Sequence, residues 1–581
     1  MSDYFGPSMR LYVDRIVDWG RYLRLRSGDT PDLESEVAAF RSVLETTASL
    51  AQSFERRARE NWEAEAELTE DGGAQPPRHI RDAYDELRTA GLVSLGVSEA
   101  YGGAALPGVL NGMYLEMVSR ADTSLMTVVG LQAGVATDIE RYGDEALKAT
   151  WLPRFTAGEV QGSMDLTEPK AGSDLGGIGT RAAEQPDGTL RVTGSKIFIT
   201  NGGAEVHLVL ARDADTFEQS KGTTNGLSLV LVPRHLDDGR RNTTRVARLE
   251  KKLGIHGSPT CEVVFEEAVG WRLGQKGHGF RAMLDLMNNA RLGVAAQAVG
   301  VAAAALHDAS RYAHEREQFG QPIARQALVL SMLAKMATNI EAARALLYRT
   351  FELIDLNQAR EAALARGDLA AAEAEQQRQA LERDTVRVRL LTPLCKYFAT
   401  EICQDVTRDA MQVFGGIGYT MDADVAKLHA DSLIMTVYEG TSEIQASFAL
   451  REMGKGALGV ALSQVRSELG ELASDPSRAE LAKLLQGGVA QIEECAQVLF
   501  ADIPYALLRA KVMAEMVINV KAGAELLRQA GVEPARLDLA EAWIRRRVIE
   551  TDGMAQRIRE NHKGRLERDQ RILTSYAARE G

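Results

Sequence analysis

The residues best suited to chemistry stand in the run Tyr438-Glu439-Gly440-Thr441-Ser442-Glu443-Ile444-Gln445. Ser442 with Gln445 three positions on is a capping-box pattern, which predicts a helix from about Glu443. Glu439 then falls in the turn before that helix, and Gly440 permits a tight backbone and close approach by another molecule. Residues 433–437 (LIMTV) lead into the turn and are mostly apolar. An apolar wall disfavours a charged carboxylate and raises its pKa toward the range useful to a general base. A glutamate in a solvated helix-start turn has the same spacing, so spacing alone leaves both readings open.

Four further stretches have the residue types of a binding site. Residues 167–174 (TEPKAGSD) are small and hydroxylated, and a loop of this kind exposes backbone N–H groups to phosphate or a polar ring edge. In residues 196–200 (KIFIT), strand alternation puts Phe198 and Thr200 on one face, an aromatic surface beside a hydroxyl. Residues 315–320 (EREQFG) and 412–418 (QVFGGIG) combine an arginine with glycine-rich backbone, both suited to pyrophosphate. Each also reads as an ordinary loop or core strand. Residues 454–459 (GKGALG) match a dinucleotide fingerprint but follow a helical run rather than a strand, so a helix–helix connector is expected. The glycosylation sequon at Asn242 has no supporting sign of secretion. The four cysteines, Cys261, Cys395, Cys403 and Cys495, fit no metal pattern, and buried thiols are expected.

The elements that must position these residues follow from length and periodicity. A chain of 581 residues exceeds one ordinary core, and 45% apolar with 26% charged residues excludes wholesale disorder. The net charge of −13 makes nucleic acid an unexpected partner. No signal peptide is expected from the opening residues, and the small-apolar run 292–306 reads as too short to span a bilayer. A cytoplasmic protein is expected. Leu33, Val37, Phe40, Val43, Leu44 and Leu50 recur at helical spacing, predicting a helix over about 33–60. Helical pattern resumes at Ile80 and runs to about Ala157. Between about 161 and 275, β-branched runs at 190–194, 196–200, 206–211, 227–232 and 262–265 alternate with turn signals, predicting a small, mostly antiparallel β domain. From Gly279 onward the pattern is helical without a convincing strand, and residues 357–384 read as a solvated helical pair. The fold class expected is mostly α with an inserted β domain. Its boundaries are an N-terminal extension (1–34), a helical domain (35–160), a β domain (161–275), a helical bundle (276–456) and a helical extension (457–581).

In this order, LTEPKAGSD (166–174), KIFITNGG (196–203), KLGIHGSPT (252–260), LGQKGHGF (273–280), EREQFGQP (315–322), MQVFGGIGY (411–419) and VYEGTSEIQ (437–445) resemble the acyl-CoA dehydrogenase family over roughly residues 35–455. KLGIHGSPTC and the long tail are most similar to an enlarged branch, which includes 3-methylmercaptopropionyl-CoA and broad-range fatty acyl-CoA dehydrogenases. The resemblance implies FAD bound between the β domain and the C-terminal bundle. It places Leu166, Thr167, Gly172, Ser173, Phe198, Ile199 and Thr200 at the flavin and pyrophosphate. Arg316, Gln318, Phe319, Gln326, Gln412, Val413, Gly415 and Gly416 would meet the adenine–pyrophosphate half, partly of a neighbouring subunit's FAD, and Thr441 and Glu443 would also touch FAD. Substrate contacts fall to Ser173, Asn288, Arg291, Gly440 and Met126. Glu439 would take the thioester α-proton while the β-hydride passes to flavin N5, giving the 2-enoyl-CoA. Electrons would then pass to electron-transfer flavoprotein. No metal is implied.

Departures from the family pattern sharpen these expectations. A subset of members carries its base immediately before the arginine matched by Arg291, where this chain has Ala290. The segment between Arg316 and Gln326 is one residue short, and Ala430 replaces an arginine that commonly precedes the aspartate matched by Asp431. Met126 occupies the place where glutaryl-type members grip a carboxylate with arginine, so an apolar acyl tail is expected. An acyl-CoA oxidase using O₂ shares the pattern. An alkylation-response-type flavoprotein would need a nucleic-acid-binding tail, and residues 545–571 hold nine Lys/Arg against five Asp/Glu. A homodimer is expected, with the tail packing where a second dimer would sit, and neither nucleic acid nor membrane is an expected partner.

Overall fold

Aspartates set where several helices begin. Asp32, Asp122 and Asp144 each accept backbone N–H groups from the first turn that follows, at 3.3, 2.9 and 2.8 Å to Ser35, Ser124 and Leu147. The computed structural model describes residues 4–28, 32–560 and 564–577. Residues 1–3, 29–31, 561–563 and 578–581, which belong to the two expected extensions, lie outside the described residues. Contacts divide the chain into two units, Met1–Leu381 with Cys395–Thr441, and Glu382–Leu394 with Ser442–Gly581.

In the first unit the expected helix forms as α1, Leu33–Glu60. Helices α2 (Arg78–Thr89), α3 (Gly108–Ala121), α4 (Thr123–Tyr142) and α5 (Glu145–Thr156) follow. Ahead of them, residues 4–28 form short helical turns that bury Phe5, Tyr12, Val13, Trp19 and Leu25, with Tyr12 edge-on to Tyr348 at 5.0 Å. Their pieces are too short to show a periodic signal.

The β domain holds seven strands: β1 (Gly162–Asp165), β2 (Arg181–Glu184), β3 (Leu190–Thr200), β4 (Val206–Asp213), β5 (Leu227–Pro233), β6 (Thr244–Leu249) and β7 (Thr260–Leu273). Pairings are antiparallel except β1–β4 and β2–β4. The ladder runs β4–β2–β3–β7–β5 and returns to β4, closing a five-stranded ring, with β1 added on β4 and β6 on β7. Strand alternation divides the core: Leu208 and Leu210 join a cluster with Trp151, Phe155 and Leu286, while Val209 and Ala211 join Val192, Ile199 and Phe265. The two expected runs at 190–194 and 196–200 are one strand, because Gly194 and a bulge take up the irregularity. Asn242 is buried, its amide donating to the Pro233 and Val269 carbonyls at 2.8 Å each.

Helices α6 (Gly279–Glu315), α7 (Ala327–Arg366), α8 (Ala371–Phe414) and α9 (Asp424–Ser432) complete this unit, apart from the residues of α8 assigned to the second. α6 is the one helix among the described residues long and apolar enough to cross a membrane, and most of that stretch is buried inside the protein. The expectation of no strand beyond Gly279 needs correction: Glu317–Gln318 pairs with Gln321–Pro322 in a tight hairpin. Phe319 and Gly320 turn it with φ of +54° and +77°, the left-handed pair such two-residue loops use. All four cysteines are buried.

The second unit contains α10 (Ser442–Glu452), α11 (Leu458–Leu472), α12 (Pro476–Phe500), α13 (Ala510–Val532), α14 (Ile549–Arg559) and α15 (Arg565–Ala577). α10 starts at Ser442, one residue earlier than the capping box predicts. Residues 453–457 connect α10 to α11 as a π turn broken at Gly456, so the dinucleotide-like sequence is a helix connector. Leu485, Val489, Ile492, Met513, Met516, Leu526 and Trp543 are buried, with the Trp543 indole donating to the Asn519 carbonyl at 3.0 Å.

Candidate active site

Glu439 sits where the chain turns from a 3₁₀ segment, Leu433–Thr436, into α10. Glu439 and Gly440 have φ of +53° and +92°. For a glutamate this conformation is strained by about 1–3 kcal/mol and persists only when its surroundings fix it. Several contacts supply that constraint. Lys396 Nζ on α8 donates to the Gly440 carbonyl at 2.8 Å. The Tyr438 hydroxyl donates to Gln297 Oε1 on α6. Gln404 Nε2 donates to Thr436 Oγ1 at 2.9 Å. Burial pushes the Glu439 carboxyl above its usual range, opposed first by Arg291 and then by Lys396. Glu439 as a whole is half-buried, and desolvation of its carboxyl favours the general-base reading over the solvated one.

Arg291 is buried on α6, and its Nη1 donates to Asn288 Oδ1 at 2.8 Å, so the two expected substrate contacts are one helical turn apart and linked. Burial lowers the guanidinium's pKa, and Glu439 opposes that shift. Met126 is buried on α4, with Cε 3.4 Å from where a Cβ on Gly130 would sit and 4.0 Å from the same point on Gly293. Thr127 beside it donates to Ser258 Oγ at 2.7 Å, tying the 252–260 loop to α4.

The surfaces expected to hold a cofactor are open and backbone-rich. Gly172 and Ser173 are exposed, and Leu166 and Thr167 lead into their loop. Phe198 is 59% exposed at φ +58°, Ile199 is buried, and Thr200 is half-buried. Register between Lys196–Val263 and Ile199–Cys261 leaves one extra residue on β3. That bulge extrudes the Phe198 ring, which alternation alone would have placed with the fully buried Lys196. Gly415 has φ +65°, and no atom lies within 4 Å of a Cβ position on it or on Gly416, so a ligand can approach both amides. Arg316, Gln318, Phe319 and Gln412 are exposed around this region, Gln326 is half-buried and Val413 is buried. Taken separately, the exposed Phe198 ring suits stacking on a flat aromatic group, and the open Gly415–Gly416 backbone suits a pyrophosphate. Thr441 is half-buried and closes the first unit. Glu443 pairs with Lys511 at 3.2 Å, both within the second unit.

Three positioning residues escaped the sequence reading. Besides Lys396, the buried Lys196 ammonium holds Glu168 and the Leu166 and Leu210 carbonyls at 2.8–3.0 Å. Arg212 is buried and donates to the Gly176, Ile178, Ser220, Thr223 and Asn225 carbonyls, fixing the loop after Ser173. The available signal was a lone cation inside an apolar helix or strand, which must find partners when buried. Five of the eight left-handed non-glycine residues among those described, Phe198, Asn201, Ile255, Phe319 and Glu439, lie within the seven quoted motifs.

Known proteins resemble this chain in sequence and fold. Family models described as the acyl-CoA dehydrogenase N-terminal, middle and C-terminal domains match residues 45–159, 163–268, and 277–382 with 364–454. The 3-methylmercaptopropionyl-CoA dehydrogenase of Ruegeria pomeroyi is 34% identical over 404 residues, 66% of this chain and 65% of that protein, just under two thirds of its length. An acyl-CoA dehydrogenase of Bacillus subtilis is 35% identical over 364 residues, 61% of this chain and 85% of its own length. An acyl-CoA dehydrogenase from Bacillus anthracis, solved in complex with FAD, shares the fold over 90% of this chain and 88% of its own, with a TM-score of 0.75 at 24% identity. With all three domains matched in order and the B. subtilis relative covered over most of its length, this chain belongs to the acyl-CoA dehydrogenase family.

Proposed function

We propose that this protein is an FAD-dependent dehydrogenase that converts an acyl-CoA thioester to its 2-enoyl-CoA, with Glu439 as the base. The observation that carries this reading is the half-buried Glu439 on a left-handed turn, its carboxyl raised by desolvation beside Arg291. Glu439 takes the α-proton, and its backbone N–H is the donor for the developing enolate oxygen. Base catalysis contributes about 10²–10⁴-fold, and a preorganised donor at the oxyanion adds about 10²–10³-fold. FAD, when bound, supplies at its N5 the acceptor for the β-hydrogen and its electron pair. Leu166, Thr167, Gly172, Ser173, Phe198, Ile199 and Thr200 hold the flavin half. Arg316, Gln318, Phe319, Gln326, Gln412, Val413, Gly415, Gly416, Thr441 and Glu443 hold the remainder. Ser173, Asn288, Arg291, Gly440 and Met126 meet the thioester substrate, and the buried thioether of Met126 favours an apolar acyl tail.

Electron-transfer flavoprotein is the proposed acceptor, and a homodimer the proposed assembly. Phe319, Leu328 and Tyr419, exposed by 94, 84 and 86%, support a second copy covering this face. The test is anaerobic titration of the holoenzyme with a panel of acyl-CoA thioesters. Flavin bleaching with formation of a 2-enoyl-CoA is expected. No bleaching by any thioester would overturn the reading, and rapid reoxidation of the bleached enzyme by O₂ would replace the proposed acceptor.

A further inference from the structure

We propose that Lys396 is a positioning residue for the catalytic turn, its buried ammonium holding the Gly440 carbonyl so that Glu439 keeps its left-handed backbone and its aim. This rests on the reading of Glu439 as the base. Lys396 lies in an apolar stretch of α8, residues 390–400 (LLTPLCKYFAT), and is fully buried. A lysine side chain so placed is retained only with acceptors for its ammonium. One of them is the Gly440 carbonyl, at 2.8 Å, a residue 44 positions further along the chain.

The bond belongs to a ladder. Further along α8, Thr407 Oγ1 lies 3.2 Å from Ser432 Oγ and 2.9 Å from His429 Nδ1. Gln404 Nε2 reaches the Leu433 carbonyl at 3.4 Å and Thr436 Oγ1 at 2.9 Å. Lys396 is the last rung, two helical turns beyond Gln404, and meets the chain where the two left-handed residues fall. α8 thus serves as a straight edge for residues 429–440, pinning the segment at three heights. The first two rungs hold the His429 and Ser432 side chains and the Leu433–Thr436 segment, and the Lys396 rung acts on the strained turn itself. A carboxylate base must be aimed closely at the α-carbon, since a displacement of about 1 Å can cost about 10²-fold in rate.

Lys396 also faces the carboxylate electrostatically. Burial raises the Glu439 pKa, and the opposing cations are Arg291 on α6 and Lys396 on α8, with the Tyr438 phenol adjacent in the chain. Removing the ammonium therefore has two separable effects, loss of the aim and a further rise in the base's pKa.

The test compares Lys396→Met and Lys396→Gln with the wild-type holoenzyme, using butyryl-, octanoyl- and palmitoyl-CoA. For Lys396→Met the expected kcat loss is about 10²-fold, with KM changed by less than about threefold, and an acid limb shifted to higher pH. Lys396→Gln keeps a donor without the charge, so part of kcat should return while the limb stays shifted. A folded, FAD-loaded Lys396→Met with wild-type kcat and an unmoved limb overturns the proposal. Should that variant not retain FAD, the same readouts on Lys396→Gln, which keeps a donor at the position, decide. A kcat loss at constant KM supports the proposal, and unaltered kcat overturns it. Glu439→Gln separates the two levels: if it retains turnover, the base is misassigned. If it is inactive while Lys396→Met is unaffected, only the role of Lys396 falls.

Discussion

The rings of Tyr312 and Phe414 stack 4.2 Å apart with 13° between their planes. The contact joins the end of α6 to the end of α8, and so brings the Arg316 hairpin beside the Gly415–Gly416 backbone, two segments about a hundred residues apart in sequence. Aromatic stacking contributes about 0.5–1.5 kcal/mol beyond area burial. Tyr312→Leu keeps bulk but loses the stack, so the Kd for FAD should rise by about 2- to 12-fold, the same energy expressed as affinity. Fluorescence titration of the apoprotein with FAD measures it, and an unchanged Kd would separate the stack from the cofactor site.

Glu439→Gln is nearly isosteric and should retain FAD and bind acyl-CoA. Turnover should fall by at least about 10²–10⁴-fold. The position before Arg291, where some relatives place a base, is Ala290 and has no proton acceptor. Single-turnover flavin bleaching reads the loss directly, and bleaching at near-wild-type rate in freshly purified variant would show that another group is the base.

The pH dependence follows from the direction of the Glu439 shift. The free carboxyl titrates near ~4.3; burial raises it here, with Arg291 the larger opposing influence. A base must be ionised, so kcat/KM should fall as pH drops through a limb lying above the ordinary carboxylate range. Arg291→Gln removes the main opposition and should move that limb further toward alkaline pH. A limb at the ordinary value in wild type, or one that Arg291→Gln leaves in place, would contradict the assignment.

What the sequence made legible were features carried by short-range pattern: the periodic helix Leu33–Glu60, the apolar, fully buried strand Val206–Asp213, and the placement of Glu439 before a helix. What it hid is carried by partners distant in sequence. Lys396 is an unexplained cation until Gly440 comes within 2.8 Å of it. Phe198 reads as an ordinary alternating residue until the register with Cys261 and Val263 shows the bulge that turns its ring outward. Strand β2 (RAAE) has neither length nor β-branched residues, and its pairing with β3 and β4 defines it instead. Glu443 finds Lys511, 68 positions further along, a partner that no short-range pattern signals.

Asp138 on α4 is 1% exposed, and its Oδ2 accepts no hydrogen bond among the described residues. Burial, with Asp285 nearby, raises its pKa to about 8, against about 3.9 for an unfolded aspartate. The folded state therefore binds the proton more tightly than the unfolded state. The associated stability is full below about pH 4 and is lost as pH rises through about 8. Asp138→Asn is neutral throughout, so its Tm relative to wild type should climb between about pH 4 and 8 and level off above. A constant Tm difference across that range would show that Asp138 ionises normally in the folded protein.

Assembly gives the last test. Phe319, Leu328, Leu330 and Tyr419 are exposed apolar residues around the Arg316 hairpin and the Gly415–Tyr419 turn, the same surface proposed to meet the adenine half of FAD. If a second copy covers it, light scattering of the full-length holoenzyme should give a dimer mass. Leu328→Glu with Tyr419→Glu should then yield monomer and release FAD, because each carboxylate would be desolvated at the interface. The extension makes a separate claim. Within the second unit, Leu390, Leu391 and Leu394 of α8 and Ala446, Ala449 and Leu450 of α10 are buried together with the tail's Leu485, Met513 and Met516. Truncation after Gly456 removes that cover and leaves apolar faces that need burial. The truncated protein should associate beyond the dimer, to a tetramer or larger species. A tetramer mass for the full chain, or an unchanged dimer after truncation, would refute the idea that the extension replaces a second dimer.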